Sequence, residues 1–249
     1  MNTKKVIACD LDGTLAPSKS SLSREMSDVI RQILPRYSLA VISGGAFPQF
    51  QKQFLFNLDC PKELYKNLYL FPTMGSTCYV YDYEKDDWKQ IYEEKLSDEE
   101  RRDIIQAFKD SINESGLDLE GAYGEILEDR GTQVTFSGRG QNAPIDAKNS
   151  WDPDRTKRQI LVDLLKSKIP NFDIRMGGMS SIDVTRLGVD KAYAIGKIKS
   201  LLNVNDDDIV FVGDALYKGG NDAPVKKTNV DYIQEDGPNE TLELLKNYI

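Results

Sequence analysis

Two carboxylates stand two residues apart at the head of "DLDGT" (10–14), directly after the apolar run "VIAC". A third, Asp214, closes the apolar run "IVFVG" and opens a segment, "DALYKGGND", that also holds Asn221 and Asp222. Between them along the chain lie Ser43 and Gly44 of "VISGG" (41–45), and Lys191 at the head of a helical pattern. Carboxylates beside a lysine and a hydroxyl are the groups that Mg2+-assisted phosphoryl transfer needs. Mg2+ takes an octahedral set of oxygens and keeps several waters, so one or two carboxylates and a substrate phosphate suffice. Asp10 and Asp214 are the expected ligands. Asp10, at a strand end, is also placed to act as the nucleophile and form an aspartyl phosphate. Asp12, pointing differently across the turn, is expected to give a proton to the departing oxygen and later withdraw one. Lys191, Ser43 and the amides near Gly44 would hold the phosphoryl oxygens.

These residues converge only if the apolar runs before them are neighbouring parallel strands, because ligands of open parallel sheets bind beyond the strands' carboxyl ends. The pattern fits. Residues 5–10 and 37–45 are continuous apolar strands, and "LSREMSDVIRQIL" between them puts Met26, Ile30, Ile33 and Leu34 on one helical face. After Gly188 the same alternation returns, with "DKAYAIGKIKSLLN" helical, "DIVFVGD" and "VDYIQ" as strands and "NETLELLKNYI" as a closing helix.

The stretch from about residue 82 differs. "YDYEKDDWKQIYEEK" reads as exposed hairpin strands, and Ser97 and Glu100 stand in capping-box spacing before a helix that ends at Gly116. Val134 and Phe136 alternate with Thr135 and Ser137, and a helix is expected with Asp152 as N-cap and Pro153 at its first position. Short strands flank Gly177-Gly178. The fold class expected is α/β: a doubly wound, Rossmann-like parallel sheet (1–82 and 188–249) carrying an inserted α+β cap domain (83–187).

Composition narrows the function classes. At 249 residues one or two domains are expected. The chain has no histidine, which removes Ser-His and Cys-His catalysis and imidazole-ligated metals. A net charge of −8 offers no footprint for nucleic acid. Its three cysteines, without a Cys-x-x-Cys pair, fit a reducing compartment rather than structural zinc. "MNTKK" is followed by only four apolar residues before Asp10, too few for a signal-peptide core, and no run approaches the ~20 apolar residues of a membrane span. A cytoplasmic location, with no membrane partner, is expected. No Gly-x-Gly-x-x-Gly opens a helix after a strand, so a dinucleotide-binding oxidoreductase is excluded.

The order "DLDGT", "VISGG", Lys191, "FVGDALYKGGND" resembles the haloacid dehalogenase (HAD) superfamily of aspartate-nucleophile phosphotransferases, over essentially the whole chain. The position and α+β pattern of the insertion resemble the subgroup of Cof-type sugar phosphatases and phosphomannomutases. The resemblance implies Asp10 as nucleophile, Asp12 as acid/base, Ser43 and Lys191 on the phosphoryl group and Asp214 on Mg2+. It adds the main-chain carbonyl of Asp12 to the metal set and places Asn221 and Asp222 beside metal and phosphate. Within the insertion, "EDRGTQVTFSGRGQNAP" (128–144) and "GGMSSIDVT" (177–185) resemble substrate-binding segments, pointing to Arg130, Arg139, Ser181 and Asp183. The mutase pattern has a second arginine where this chain has Gln141. The expectation is therefore a Mg2+-dependent phosphatase of a small phosphorylated metabolite, with a sugar phosphate as the expected substrate. A phosphohexomutase is the alternative, and the subgroup implies a monomer or a cap-mediated homodimer. A catalytically retired binding scaffold is disfavoured because Asp10, Asp12 and Asp214 are all present.

Overall fold

The computed structural model describes residues 4–249. The chain divides into two units. One runs to Glu93 and resumes over Asp190–Lys218 and Asp222–Ile249; the other comprises Glu94–Val189 with Gly219–Asn221.

The first unit is built on β1 (Val6–Asp10), α1 (Arg24–Ile33), β2 (Ser38–Ile42), α2 (Phe47–Gln53), β3 (Leu68–Phe71), β4 (Thr77–Asp82) and β5 (Asp87–Glu93). Continuing in chain order, the second holds α3 (Asp98–Ser115), β6 (Leu127–Asp129), β7 (Gln133–Ser137), α4 (Ile145–Trp151), α5 (Thr156–Lys168), β8 (Phe172–Gly177) and β9 (Ser181–Arg186). The first unit then resumes with α6 (Lys191–Leu202), β10 (Ile209–Gly213), β11 (Asp231–Gln234) and α7 (Pro238–Lys246).

Seven strands form the first sheet, in the order β11-β10-β1-β2-β3-β4-β5. The pairings from β11 to β3 are parallel, and β4 and β5 extend the sheet antiparallel. Successive strand residues feed opposite faces. Ile7, Cys9, Leu39, Val41, Val210 and Val212 join one apolar layer with Met26, Ile30 and Phe50 of α1 and α2. Val6, Ala8, Ala40, Ile42, Ile209 and Phe211 join another with Ala194, Ile195 and Ile198 of α6. A sheet covered on both faces explains why these strands read as unbroken apolar runs. This is the doubly wound α/β architecture, with an α+β unit inserted into it. Among the described residues no helix is long and apolar enough to cross a membrane.

The insertion begins later than the expected residue 83. β5 pairs with β4 over Asp87↔Asp82 through Glu93↔Thr77, so the hairpin belongs to the first sheet. An edge strand with half its backbone unpaired carries polar residues, and that polarity disguises its membership.

The second sheet is antiparallel throughout, in the order β6-β7-β9-β8. Val134, Phe136, Ile174, Ile182 and Val184 pack with Ile104 and Phe108 of α3 and Leu161 and Leu165 of α5. The opposite face is polar yet buried, with Gln133, Thr135, Ser137, Asp183 and Thr185. α3 has the expected capping box, Ser97 with Glu100, and ends at Gly116 in the left-handed conformation. The helix expected from Asp152 starts instead at Thr156, because Arg155 has a positive φ of 66°. Asp152 nevertheless serves that helix: its carboxylate accepts from the Lys157 and Arg158 amides at 2.9 and 3.2 Å. α4 lies in a segment without apolar periodicity and is not anticipated by the sequence pattern.

Candidate active site

The parallel register brings β1 and β10 side by side, Cys9 opposite Val212, so Asp10 and Asp214 leave adjacent strand ends. Asp10, Asp214 and Asp222 each turn a carboxylate oxygen to within 4.8 Å of the others. Two glycines make this possible. A Cβ on Gly213 would lie 2.4 Å from Asp222 Oδ2, and one on Gly13, whose φ is +93°, would lie 2.6 Å from Asp214 Oδ2. Lys191, at the start of α6 and fully buried, donates to both Asp10 and Asp222. Asp190 before it caps the helix by accepting from the Ala192 and Tyr193 amides. Asp222 Oδ2 also accepts from the Ala215 amide at 2.9 Å, and Thr14 Oγ1 reaches Asp214 Oδ1 at 3.5 Å.

One ammonium among three carboxylates leaves an excess of two negative charges, and the titration behaviour follows. Burial raises the pKa of Asp10 well above the carboxylate range; Lys191 opposes this, and Asp222 and Asp214 add to it. Asp214 is pushed up to about 6, first by burial and then by Asp222. For Lys191 burial favours the neutral amine, but Asp10 and Asp222 outweigh it and hold the ammonium charged. A divalent cation would cancel the excess, and an all-oxygen donor set suits Mg2+ rather than a thiolate- or imidazole-seeking metal. The residues fit such an ion.

Asp12 stands apart from this cluster. Ser43 Oγ donates to its Oδ2 at 3.0 Å while accepting from the Gly45 amide at 3.1 Å. The structure thus joins Ser43 to Asp12. Gln49 and Gln53 of α2 also reach Asp12, at 3.3 and 3.0 Å. Sequence reasoning missed both glutamines, although their spacing of four on the helix after "SGG" puts them on one face. Asp12 enters the expected metal set only through its main-chain carbonyl, since its carboxylate lies outside the cluster. Gly44 is half-buried between Ser43 and Gly45. Asn221 is buried and groups with the inserted unit, whereas Asp222 groups with the first.

In the inserted unit, Asp183 Oδ1 accepts from Gln133 Nε2 at 2.9 Å and Thr135 Oγ1 at 2.8 Å. Ser181 begins the same strand, opposite Ser137 and Gly177. Arg130 pairs with Glu128 at 2.6 Å. Arg139 bonds the Glu120 and Gly121 carbonyls at 3.2 and 3.4 Å and lies over the Tyr123 ring. Further cations went unnoticed in the sequence: Lys148, buried on α4, and Arg175, in register with Asp183.

A parallel sheet whose strand ends gather these aspartates and a lysine, with an α+β insertion, is the HAD fold. Solved structures agree in fold: a haloacid dehalogenase-like hydrolase from Bacteroides thetaiotaomicron aligns with a TM-score of 0.58 at 15% identity, covering 99% of this chain and 100% of that one. The N-terminally truncated IMP-nucleotidase of Plasmodium falciparum aligns at 0.74 and 16% identity, covering 99% of this chain and 70% of that one. Within that superfamily the chain belongs to the eukaryotic phosphomannomutase family, whose pattern matches residues 26–248. The phosphomannomutase of Schizosaccharomyces pombe is 28% identical over 224 residues, 88% of this chain and 84% of that protein.

This membership overturns the expectation of a phosphatase and supports the mutase alternative. The expectation leaned on Gln141 standing where the mutase pattern has an arginine, and the family match over residues 26–248 outweighs that one position.

Proposed function

We propose that the protein is a phosphohexomutase of the phosphomannomutase type, moving a phosphoryl group between the 1- and 6-oxygens of a hexose phosphate. The observation that carries this reading is the buried Asp10 carboxylate gripped by Lys191 in a chain of the phosphomannomutase family. Asp10, loaded as an aspartyl phosphate by a hexose 1,6-bisphosphate, gives its phosphoryl group to the free hydroxyl of the hexose monophosphate. After the bisphosphate so formed reorients, Asp10 attacks the other phosphorus and takes that phosphoryl group, leaving the isomeric monophosphate. Asp12 delivers a proton to the sugar oxygen that departs and withdraws one from the hydroxyl that attacks. Lys191 and the Gly44 amide hold the phosphoryl oxygens, and Ser43 keeps Asp12 beside them. Asp10, Asp214 and Asp222, with the Asp12 carbonyl, would hold Mg2+, which when bound neutralises phosphoryl charge. Asn221 would bind the phosphate. In the inserted unit, Ser181, Asp183, Arg130 and Arg139 bind the sugar hydroxyls and the second phosphate. The partner is a small phosphorylated sugar, and the free cysteines Cys9, Cys60 and Cys78 suit the cytoplasm.

The test is 31P NMR of the purified protein with mannose 1-phosphate, Mg2+ and a trace of hexose 1,6-bisphosphate. Mannose 6-phosphate is expected to form faster than inorganic phosphate, and only with the bisphosphate present. Phosphate release without isomerisation would reject the reading.

A further inference from the structure

Both oxygens of Asp12 are doubly bonded by protein donors. Oδ1 accepts from the Lys19 amide at 2.6 Å and from Gln53 Nε2 at 3.0 Å; Oδ2 accepts from Ser43 Oγ at 3.0 Å and from Gln49 Nε2 at 3.3 Å. A carboxylate has about four in-plane acceptor positions, so the shell is complete. The two glutamines are linked as well, Gln49 Nε2 donating to Gln53 Oε1 at 2.7 Å. Gln53 is almost inaccessible, at 3% exposure, so its amide is committed to this network. The site is shaped to admit it. A Cβ on Gly45 would lie 2.7 Å from both Cδ and Oε1 of Gln49, and the φ of Gly45 is not in the left-handed region. Space for the Gln49 amide, rather than backbone freedom, is what a glycine provides at residue 45.

We propose that Gln49 and Gln53 are positioning residues for the proton-transfer step, fixing the carboxylate plane of Asp12 from one helix face. The inference rests on the reading of Asp12 as acid/base given above. Lys19 and Ser43 alone give each oxygen one bond, and a carboxylate so held rocks about its Cβ–Cγ axis. The linked amides add a second bond to each oxygen, so any rotation breaks bonds on both sides at once. What the clamp supplies is orientation, whose loss costs on the order of a hundredfold in rate when a reacting group is misplaced by about an ångström. Of the four donors only the Ser43 hydroxyl can turn its proton away, onto the phosphoryl group, and Oδ2 then takes the proton of the attacking sugar hydroxyl while both glutamines stay bonded. In the reverse direction the same atom returns it.

The experiment compares wild type with Gln49→Met, Gln53→Met and Gly45→Ala, the last displacing Gln49 without altering it. With mannose 1-phosphate, kcat is expected to fall ten- to a hundredfold while KM stays within about threefold. Across a series from p-nitrophenyl to alkyl phosphates, the loss is expected to grow as the leaving oxygen becomes more basic, since only poor leaving groups need the proton. The Lys19 amide resonance should also move, because its acceptor is no longer held. A loss equal across the series, or an unmoved Lys19 resonance in Gln49→Met, would overturn the proposal. If wild type fails to isomerise mannose 1-phosphate, the functional reading fails, and the leaving-group series and the Lys19 resonance still decide the clamp.

Discussion

Lys191 and Arg158 are the most deeply buried cations among the described residues, one in each unit, and they are partnered in opposite ways. Arg158 meets one carboxylate, Asp152 at 2.7 Å, and its Nη1 donates to the Gly177 and Gly178 carbonyls at 3.3 and 2.9 Å. Its charges balance, and the pair ties the start of α5 to the turn after β8. Lys191 meets two carboxylates and lies in a cluster of three. Its charges do not balance. Burial is the same in both cases, so burial does not tell a working site from a scaffold; the residual charge does, because an uncancelled charge in low dielectric must be relieved by a bound cation or by a proton, and the raised Asp10 and Asp214 pKa values mark that demand.

Substitutions at the two cations and around them can break this contrast. The largest effect is expected for Asp10→Asn, which removes the nucleophile and should lower kcat by about four orders of magnitude or more, with the circular dichroism spectrum unchanged. Retention of a tenth of the activity would exclude Asp10 from the chemistry. Lys191→Met should lower kcat about a thousandfold and leave Asp10 and Asp222 without a counter-ion. Arg158→Met should instead act on stability, losing about 3–5 kcal/mol in urea unfolding because Asp152 is left buried and unpaired, with kcat per folded molecule changed by less than about fivefold. The contrast fails if Arg158→Met abolishes turnover in a fully folded protein.

Metal and pH test the excess charge itself. Activity should vanish with EDTA and return with Mg2+. Asp214 titrates near 6 in the folded protein, above its ordinary value of 3.8, so between these the native state binds more protons than the unfolded one. Metal-free stability should therefore fall as pH rises through that window, and Mg2+ affinity should rise over the same range as the proton leaves. Thermal melts with and without Mg2+ at pH 5 and 7 check both signs; a Mg2+ stabilisation larger at pH 5 would contradict them. The smallest effect is expected in the inserted unit, where Arg130→Ala should raise KM for the sugar phosphate about tenfold, equivalent to ~1.4 kcal/mol, with kcat little changed.

The same contrast accounts for what the sequence disclosed. Asp10, Ser43, Lys191 and Asp214 each follow or open an element with an unambiguous pattern, because a strand buried on both faces is apolar throughout and its end is easy to see. The inserted sheet is apolar on one face only, and its polar face is read through side chains whose partners come from other strands. Asp183 finds Thr135 only through the β7–β9 register. β5 reads as part of the insertion because an edge strand looks like a surface hairpin, and α5 reads as starting at Pro153 because Asp152 reaches it across the left-handed Arg155. The Gln49–Gln53 clamp was silent for a different reason: two glutamines on a helix are ordinary until an acceptor is placed against them.

The most direct measurement is transfer of label. The protein, with Mg2+, is mixed with hexose 1,6-bisphosphate carrying 32P, quenched in acid and digested, and a second sample is chased with unlabelled mannose 1-phosphate before the quench. Label is expected on the peptide spanning Asp10 in wild type and absent in Asp10→Asn, and the chase should carry it into sugar bisphosphate faster than into inorganic phosphate. Label on any other peptide, or a chase that yields only inorganic phosphate, would contradict the assignment of Asp10 as the carrier in a mutase cycle.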